Sequence, residues 1–237
     1  MLNRERLAKG FSRQILATVG PFINVNDEDL VALDVGCGYG FTTAELAAQC
    51  RRVVGIEPSA ALWAAAKALC ESRRLNNVEM RHASAAELAE SEAFDLAVLD
   101  NVLEHIADQS GALARISAAL KPGGALFVIV PNKLWPLEVH YDLPFLSYLP
   151  LRIANRYLRL TRRGSDYTDA SYAPTWLGLR RLFAARPELS YRFVLPADLS
   201  LATLGRSFHY RLGAAALRRC PWLWIISKMF VVVAVKR

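Results

Sequence analysis

The chain has 237 residues, 53% of them hydrophobic and 22% charged, which is enough for one α/β domain with a large core and too apolar for a disordered chain. Its 29 Lys and Arg against 22 Asp and Glu leave a net charge of +7, a balance that favours anionic partners such as phosphorylated compounds, anionic lipids or nucleic acid. Cys37, Cys50, Cys70 and Cys220 show neither CxxC pairing nor metal-ligand spacing, so they read as free thiols in a reducing compartment.

The N-terminus mixes charges of both signs and carries no signal-peptide pattern, so a cytoplasmic protein is expected. Apolar positions at helical spacing predict a helix over residues 2–19. Leu30 to Val35 reads as a buried strand, interrupted by Gly36, Gly38 and Gly40, and Thr42 to Ala48 opens a helix. Val53 to Glu57 is the second strand. Ala60 to Arg74 is a helix started by Pro58-Ser59, Val78 to His82 a third strand, and Ala85 to Glu92 a helical turn. Phe94 to Leu99 is the fourth strand. Ser110 to Leu120 is a helix stopped by Pro122 and the Gly123-Gly124 pair, and Ala125 to Val130 is the fifth strand.

Residues 131–173 break this rhythm. They are rich in proline, aromatics and arginine without a clear strand, which predicts an acceptor-side insertion or lid, or short helices, within a single domain of 1–237. A further helix runs from Thr175 to about Ala185, with strands over Tyr191 to Leu195 and Lys228 to Lys236. Strands alternating with helices at this spacing predict a doubly wound, mostly parallel sheet. Cys220 to Val235 is strongly apolar, but Pro221 and Lys228 interrupt it and it is too short to span a bilayer comfortably.

The chemistry concentrates at the first strand. Alternating glycines let the chain turn tightly and let a nucleotide-like ligand approach the backbone without a Cβ in the way. The carboxylate of Glu57, 21 positions after Gly36, falls about where such folds accept hydrogen bonds from ribose hydroxyls. A dinucleotide site favours G-x-G-x-x-G. This chain has G-x-G-x-G preceded by Asp34, an acid that repels a diphosphate and helps to hold a cationic ligand.

Asp34 to Gly40, Glu57, the run Phe94 to Ile106 and the turn Leu120 to Leu126 together resemble the seven-stranded (class I) S-adenosylmethionine-dependent methyltransferases. The resemblance implies a seven-stranded sheet with an antiparallel last strand, and S-adenosylmethionine as cofactor. It implies a cofactor site at Asp34, Gly36, Cys37, Gly38, Gly40, Glu57, Pro58, Ser84, Ala85 and Asp100. Ser84 departs from the pattern by standing where family members often carry an acid for the adenine amino group. A hydroxyl accepts with about half the strength of a carboxylate, and the Ala85 N–H is a second reader of the ring.

Ligands of open α/β sheets bind at the carboxyl ends of the strands. The acceptor is therefore expected between Asp100, Asn101, Glu104 and His105 on one side and residues 132–142 on the other. His105 is one candidate base, with a neighbouring carboxylate to orient it, and His140 is the second. Ubiquinone-type O-methyltransferases resemble the chain here and can use Glu-x-x-Glu-His as metal ligands. Asn101 stands in place of the first glutamate, so no metal is expected from the remaining pair, Glu104 and His105.

The resemblance implies methyl transfer to a small-molecule acceptor, a hydroxyl of a lipid-linked, glycan or quinone-like compound. Residues 143–163 mix aromatics, leucines and arginines and predict either peripheral contact with an anionic membrane or a cover over an apolar acceptor. Nucleic acid is not expected as a substrate, because Asp100-Asn101-Val102-Leu103 lacks the Pro-Pro-Tyr/Phe signature. Two alternatives stand beside this reading. An NAD(P)-dependent oxidoreductase is opposed by the missing G-x-G-x-x-G and Tyr-x-x-x-Lys motifs, and a non-catalytic S-adenosylmethionine-binding subunit is the other.

Overall fold

The computed structural model describes residues 2–25, 29–195 and 208–237. Val31–Val35 (β1) is apolar at every position except Asp34, and all five residues are buried. A strand that is hydrophobic on both faces belongs at the centre of a sheet covered on both sides. β1 accordingly pairs in parallel with Arg52–Ile56 (β2) on one edge and Phe94–Asp100 (β4) on the other. Val78–Arg81 (β3) continues in parallel beyond β2, and Leu120–Pro131 (β5) beyond β4. Met229–Lys236 (β7) then runs antiparallel between β5 and Leu189–Phe193 (β6). The sheet has seven strands in the order β3-β2-β1-β4-β5-β7-β6. Strand order reverses between β1 and β4, and at such a switch point the carboxyl ends of the strands open a crevice.

Alternate side chains pack on opposite faces. Leu2–Val19 (α1) and Phe41–Leu46 (α2) set Ile15, Val19 and Leu46 against Ala32, Val53, Val98 and Phe127. On the other face, Gln109–Ala119 (α4) and Trp176–Ala184 (α6) set Leu113, Ile116, Leu179 and Phe183 against Leu33, Val35, Leu99 and Val128. Ala60–Ser72 (α3) begins at Ser59, whose hydroxyl accepts from the Leu62 N–H.

Several expected boundaries shift. The helical turn expected over 85–92 is a single 3-10 turn, Ala85–Glu87, because the chain must extend again to enter β4. β5 begins at Leu120 rather than Ala125: the Pro-Gly-Gly segment stays within the strand, and its register against β4 shifts between Phe94 and Leu96. β6 lies two residues earlier than expected. The stretch before β7 forms a helix, Phe208–Arg219 (α7), and a 3-10 segment, Pro221–Ile226, and β7 begins one residue after the expected Lys228.

Within residues 131–173 the short helices expected from composition are present, as a 3-10 turn, Leu146–Tyr148, and Leu151–Leu160 (α5). The segment has a small core of its own, in which Leu143, Leu146, Ala154 and Leu158 pack with Tyr167 and Ala170. Among the described residues no helix is long and apolar enough to cross a membrane.

Phe127 is 2% exposed and meets Phe11 edge-on at 6.3 Å between ring centroids, joining the sheet to α1. Phe127→Ala is expected to lower the unfolding free energy by about 3–5 kcal/mol, read from urea denaturation. A loss below about 1 kcal/mol would show that this face is not a close-packed core.

Candidate active site

The turn after β1 is built from residues in the left-handed region: Gly36, Gly38 and Gly40 have φ of 64°, 56° and 73°. A Cβ on Gly36 would stand 2.8 Å from both Val102 methyls, and one on Gly40 would stand 2.8 Å from the Ala66 Cβ. A Cβ on Gly38 would meet nothing within 4 Å, so the middle of the turn faces open space while its two ends are packed. Glu57, directly after β2, joins this turn to the next unit. Its Oε2 accepts from the Gly38 N–H at 2.9 Å, and its Oε1 accepts from the Ser59 N–H at 2.9 Å. The Cys37 N–H donates to the Ile56 carbonyl at 3.1 Å. The sequence expectation that loop and carboxylate sit together is met in the backbone itself.

Two further carboxylates approach the loop. Asp34 is buried beneath it and accepts from the Thr43 hydroxyl at 2.6 Å. Burial, and then the charges of Asp100 and Glu57, raise its pKa to about 7 despite the Thr43 bond. Asp100, at the end of β4, is raised by burial to about 6, against the Asn101 amide that donates to it at 2.7 Å. Burial, reinforced by Asp34 and Glu57, pushes the Cys37 thiol well up, so it stays protonated and contributes no nucleophile.

At the expected adenine position, the Ser84 N–H and hydroxyl both donate to Glu87 Oε2, at 2.8 and 2.7 Å. Ser84 therefore caps the 3-10 turn that buries Ala85, a local duty the sequence reading did not assign. The Pro58 carbonyl accepts from His82 Nε2 at 3.0 Å, and the His82 ring stacks on Trp63 at 5.5 Å between centroids. His82, exposed at the end of β3, ties that end to the start of α3.

The second cluster lies past β4. Asn101 has φ 54°, a conformation Asn tolerates, and the chain turns there into a 3-10 segment, Leu103–His105. That turn drives Glu104 inward until it is 0% exposed, with neither carboxylate oxygen hydrogen-bonded. Burial raises its pKa to about 7. His140 arrives from the 131–173 segment with Nε2 3.7 Å from Glu104 Oε1. Its Nδ1 lies 2.8 Å from Glu138 Oε1, and the other Glu138 oxygen accepts from the His140 and Tyr141 N–H groups. The Glu138 bond is the main cause of an upward shift in the His140 pKa.

His105 Nδ1 lies 3.0 Å from the Asp169 carbonyl, and the two histidine rings meet edge-on at 5.3 Å. Carbonyls and carboxylates only accept, so Nδ1 carries a proton on both rings, and each Nε2 holds a lone pair in the neutral form of its ring. Donor atoms of Glu104, His105 and His140 all lie within 4.8 Å of one another.

The expectation of no metal rested on a count of two ligands, and the structure brings a third to them. Glu138 and Asp169 were missed. Glu138-x-His140 carried a local signal in its spacing, whereas nothing local connects Asp169 to His105. Asn132, expected on the acceptor side, instead donates to the Ile225 and Ser227 carbonyls and holds the 3-10 segment before β7. An open depression lined by Arg51, Arg52, Asn76 and Glu79 lies at the amino ends of β2 and β3, the opposite ends of these strands from Glu57 and His82.

Residues 33–128 match the family model described as a methyltransferase domain. Residues 33–128 form a class I S-adenosylmethionine-dependent methyltransferase domain. The chain is 36% identical over 103 residues to the ubiquinone biosynthesis O-methyltransferase of Bradyrhizobium sp. (strain ORS 278), a stretch covering 44% of this chain and 40% of that protein. It thus spans less than half the length of the curated relatives it matches. Its fold is similar to that of the plantazolicin methyltransferase BpumL solved with SAH, with a TM-score of 0.61 at 14% identity over 99% of this chain and 86% of that one. It is also similar to the (4+2)-cyclase SpnF, with a TM-score of 0.60 at 20% identity over 96% and 80%. At those identities the structural likeness carries the fold and not the reaction.

Asp34 and Asp100 hold protons in the folded methyltransferase domain above their ordinary value of 3.8, so their contribution to stability falls as pH rises from about 4 to about 7. A ligand of net positive charge favours their ionised forms. Affinity for S-adenosylmethionine is expected to rise on the order of tenfold between about pH 6 and pH 8, and affinity for S-adenosylhomocysteine, which lacks the sulfonium charge and has no net charge, to rise less. Calorimetric titrations of both across that range check this. Parallel pH profiles for the two would contradict it.

Proposed function

We propose that the protein transfers the methyl group of S-adenosylmethionine to a hydroxyl of a small-molecule acceptor, of lipid-linked, glycan or quinone-like type. The observation that carries this reading is the Glu57 carboxylate bonded into the glycine turn beside open space at Gly38, which fits a nucleoside. Glu57 keeps lone pairs for the ribose hydroxyls after its two backbone bonds. The glycine turn passes the ligand's amino-acid part, Pro58, Ser84 and Ala85 border the adenine, and Asp34 and Asp100 supply negative charge. Bound S-adenosylmethionine supplies an electrophilic methyl on a sulfonium.

The chain's own residues then orient the acceptor and take its proton. His140 is the better base. Glu138 fixes its tautomer and strengthens it, and its free Nε2 points toward Glu104. His105, held by Asp169, sits beside it and orients the acceptor oxygen. Residues 131–173 act as the acceptor-side wall, since they deliver His140 and the Asp169 carbonyl to a cluster that begins at the end of β4. The ubiquinone-biosynthesis relatives favour a phenolic or quinol hydroxyl.

A second reading of the same cluster rests on Glu104. A wholly buried carboxylate without a hydrogen bond is costly unless it is protonated or faces a cation. Glu104, His105 and His140 offer a carboxylate oxygen and two imidazole nitrogens, a donor set that suits a divalent transition metal or zinc. The outer Nδ1 groups are already oriented by a carbonyl and a carboxylate, as metal-binding histidines require. Such an ion would supply Lewis acidity at the acceptor oxygen.

Transfer of labelled methyl to a panel of catechols, prenylated phenols and glycolipids tests the function. His140→Ala is expected to lower kcat by roughly 100- to 10,000-fold while leaving S-adenosylhomocysteine affinity unchanged. Full activity in that variant would contradict the assignment. Activity lost on chelation and restored by a divalent ion selects the metal reading over the direct base.

A further inference from the structure

We propose that the face formed by α5 and the Leu146–Tyr148 turn docks on the surface of a bilayer containing anionic lipid. From Leu143 to Ser165 the chain holds no Asp, Glu or Lys, yet it carries Arg152, Arg156, Arg159, Arg162 and Arg163. α5 commits only Ala154 and Leu158 to the small core beneath it. Its outward face sets an arginine stripe of Arg152, Arg156 and Arg159 beside Ile153, 54% exposed, and Leu160, 73% exposed. Phe145 and Tyr148 are exposed just before it, and Leu151 at its first position.

A single exposed leucine on a surface helix means nothing. Here, of the thirteen large apolar side chains exposed among the described residues, five fall within the sixteen positions from Phe145 to Leu160. Their concentration is what distinguishes this face from an ordinary solvated one.

The charges point the same way. Among the described residues none of these five arginines forms an ion pair. The nearby acids are turned to other tasks. Asp166 accepts from Asn155 and Thr168, and the Asp169 carboxylate lies 3.2 Å from His105. Arg159 donates to the Ser165 carbonyl at 3.5 Å, but none of the five cations has a carboxylate partner, and such a stripe calls for an anionic surface.

The aliphatic residues between them decide which surface. Ile153 and Leu160 gain nothing along a nucleic-acid backbone, but they lose their contact with water at the acyl boundary of a membrane while the adjacent guanidinium groups meet lipid phosphates. The ten-residue α5 lies in the plane of the interface and does not cross it. The inner side of α5 packs on Tyr167 and Ala170, which flank the Asp169 that holds His105, so docking brings the acceptor-side wall to the lipid surface.

Flotation of the full chain with vesicles tests this independently of any transfer activity. The probes are phosphatidylcholine alone and phosphatidylcholine with phosphatidylglycerol at roughly one part in three. The protein is expected to float with the mixed vesicles and not with the neutral ones. R152E/R156E/R159E is expected to lower partitioning on the order of a hundredfold or more. I153S/L160S keeps the charge and is expected to lower it on the order of tenfold or more. All five residues face solvent, and circular dichroism with S-adenosylhomocysteine binding checks that both variants stay folded. The comparison of neutral with anionic vesicles needs no variant at all. Absence of binding to anionic vesicles, or binding unaffected by the arginine changes, overturns the proposal. So does binding that ignores I153S/L160S and is matched by duplex DNA, which would make the face a general polyanion patch.

Discussion

Glu57 is the hinge of the candidate site. One carboxylate receives the Gly38 N–H from the turn after β1 and the Ser59 N–H from the start of α3, so two successive β-α units are locked at their carboxyl ends by one side chain. Hydrogen bonds to a charged acceptor contribute about 1.5–3 kcal/mol each, enough to hold a glycine turn that would otherwise lose much of its conformational freedom on folding. The packed ends at Gly36 and Gly40 and the open middle at Gly38 follow from that lock. Every ligand contact assigned to the first half of the chain depends on it.

Two acidic groups with different characters face the crevice. Asp34 and Asp100 lie under and beside the glycine turn, and their raised pKa values report a pocket that is negative and poorly solvated before any ligand enters. Glu104 lies deeper, with no donor of its own and two imidazoles turned toward it. The first group suits a ligand of net positive charge. The second suits a proton or a metal ion shared with the acceptor oxygen.

The parts of this arrangement legible in the sequence are those set by local constraints. The glycine spacing, the acid closing β2 and the apolar runs each fix their own backbone, so the seven strands could be read from one stretch after another, while the antiparallel direction of the last came from the family resemblance. The histidine cluster could not. Glu104, His140 and Asp169 lie 36 and 29 positions apart along the chain, and only the folding of residues 131–173 over the end of β4 joins them. Ser84 has a second duty that alignment with a ligand-binding acid does not show, because its hydroxyl donates to Glu87 within its own turn. The start of β7 was legible to within one residue, because Lys228 interrupts the apolar run just before it.

The central claim is that Glu57 and the glycine turn together hold the nucleoside of S-adenosylmethionine. Calorimetric titration of S-adenosylhomocysteine into the unaltered protein and into Glu57→Ala tests it most directly. One ligand bound per chain, and an affinity on the order of a hundredfold weaker in the variant, is the predicted result. No binding by the unaltered protein, or equal binding by the two, would contradict it.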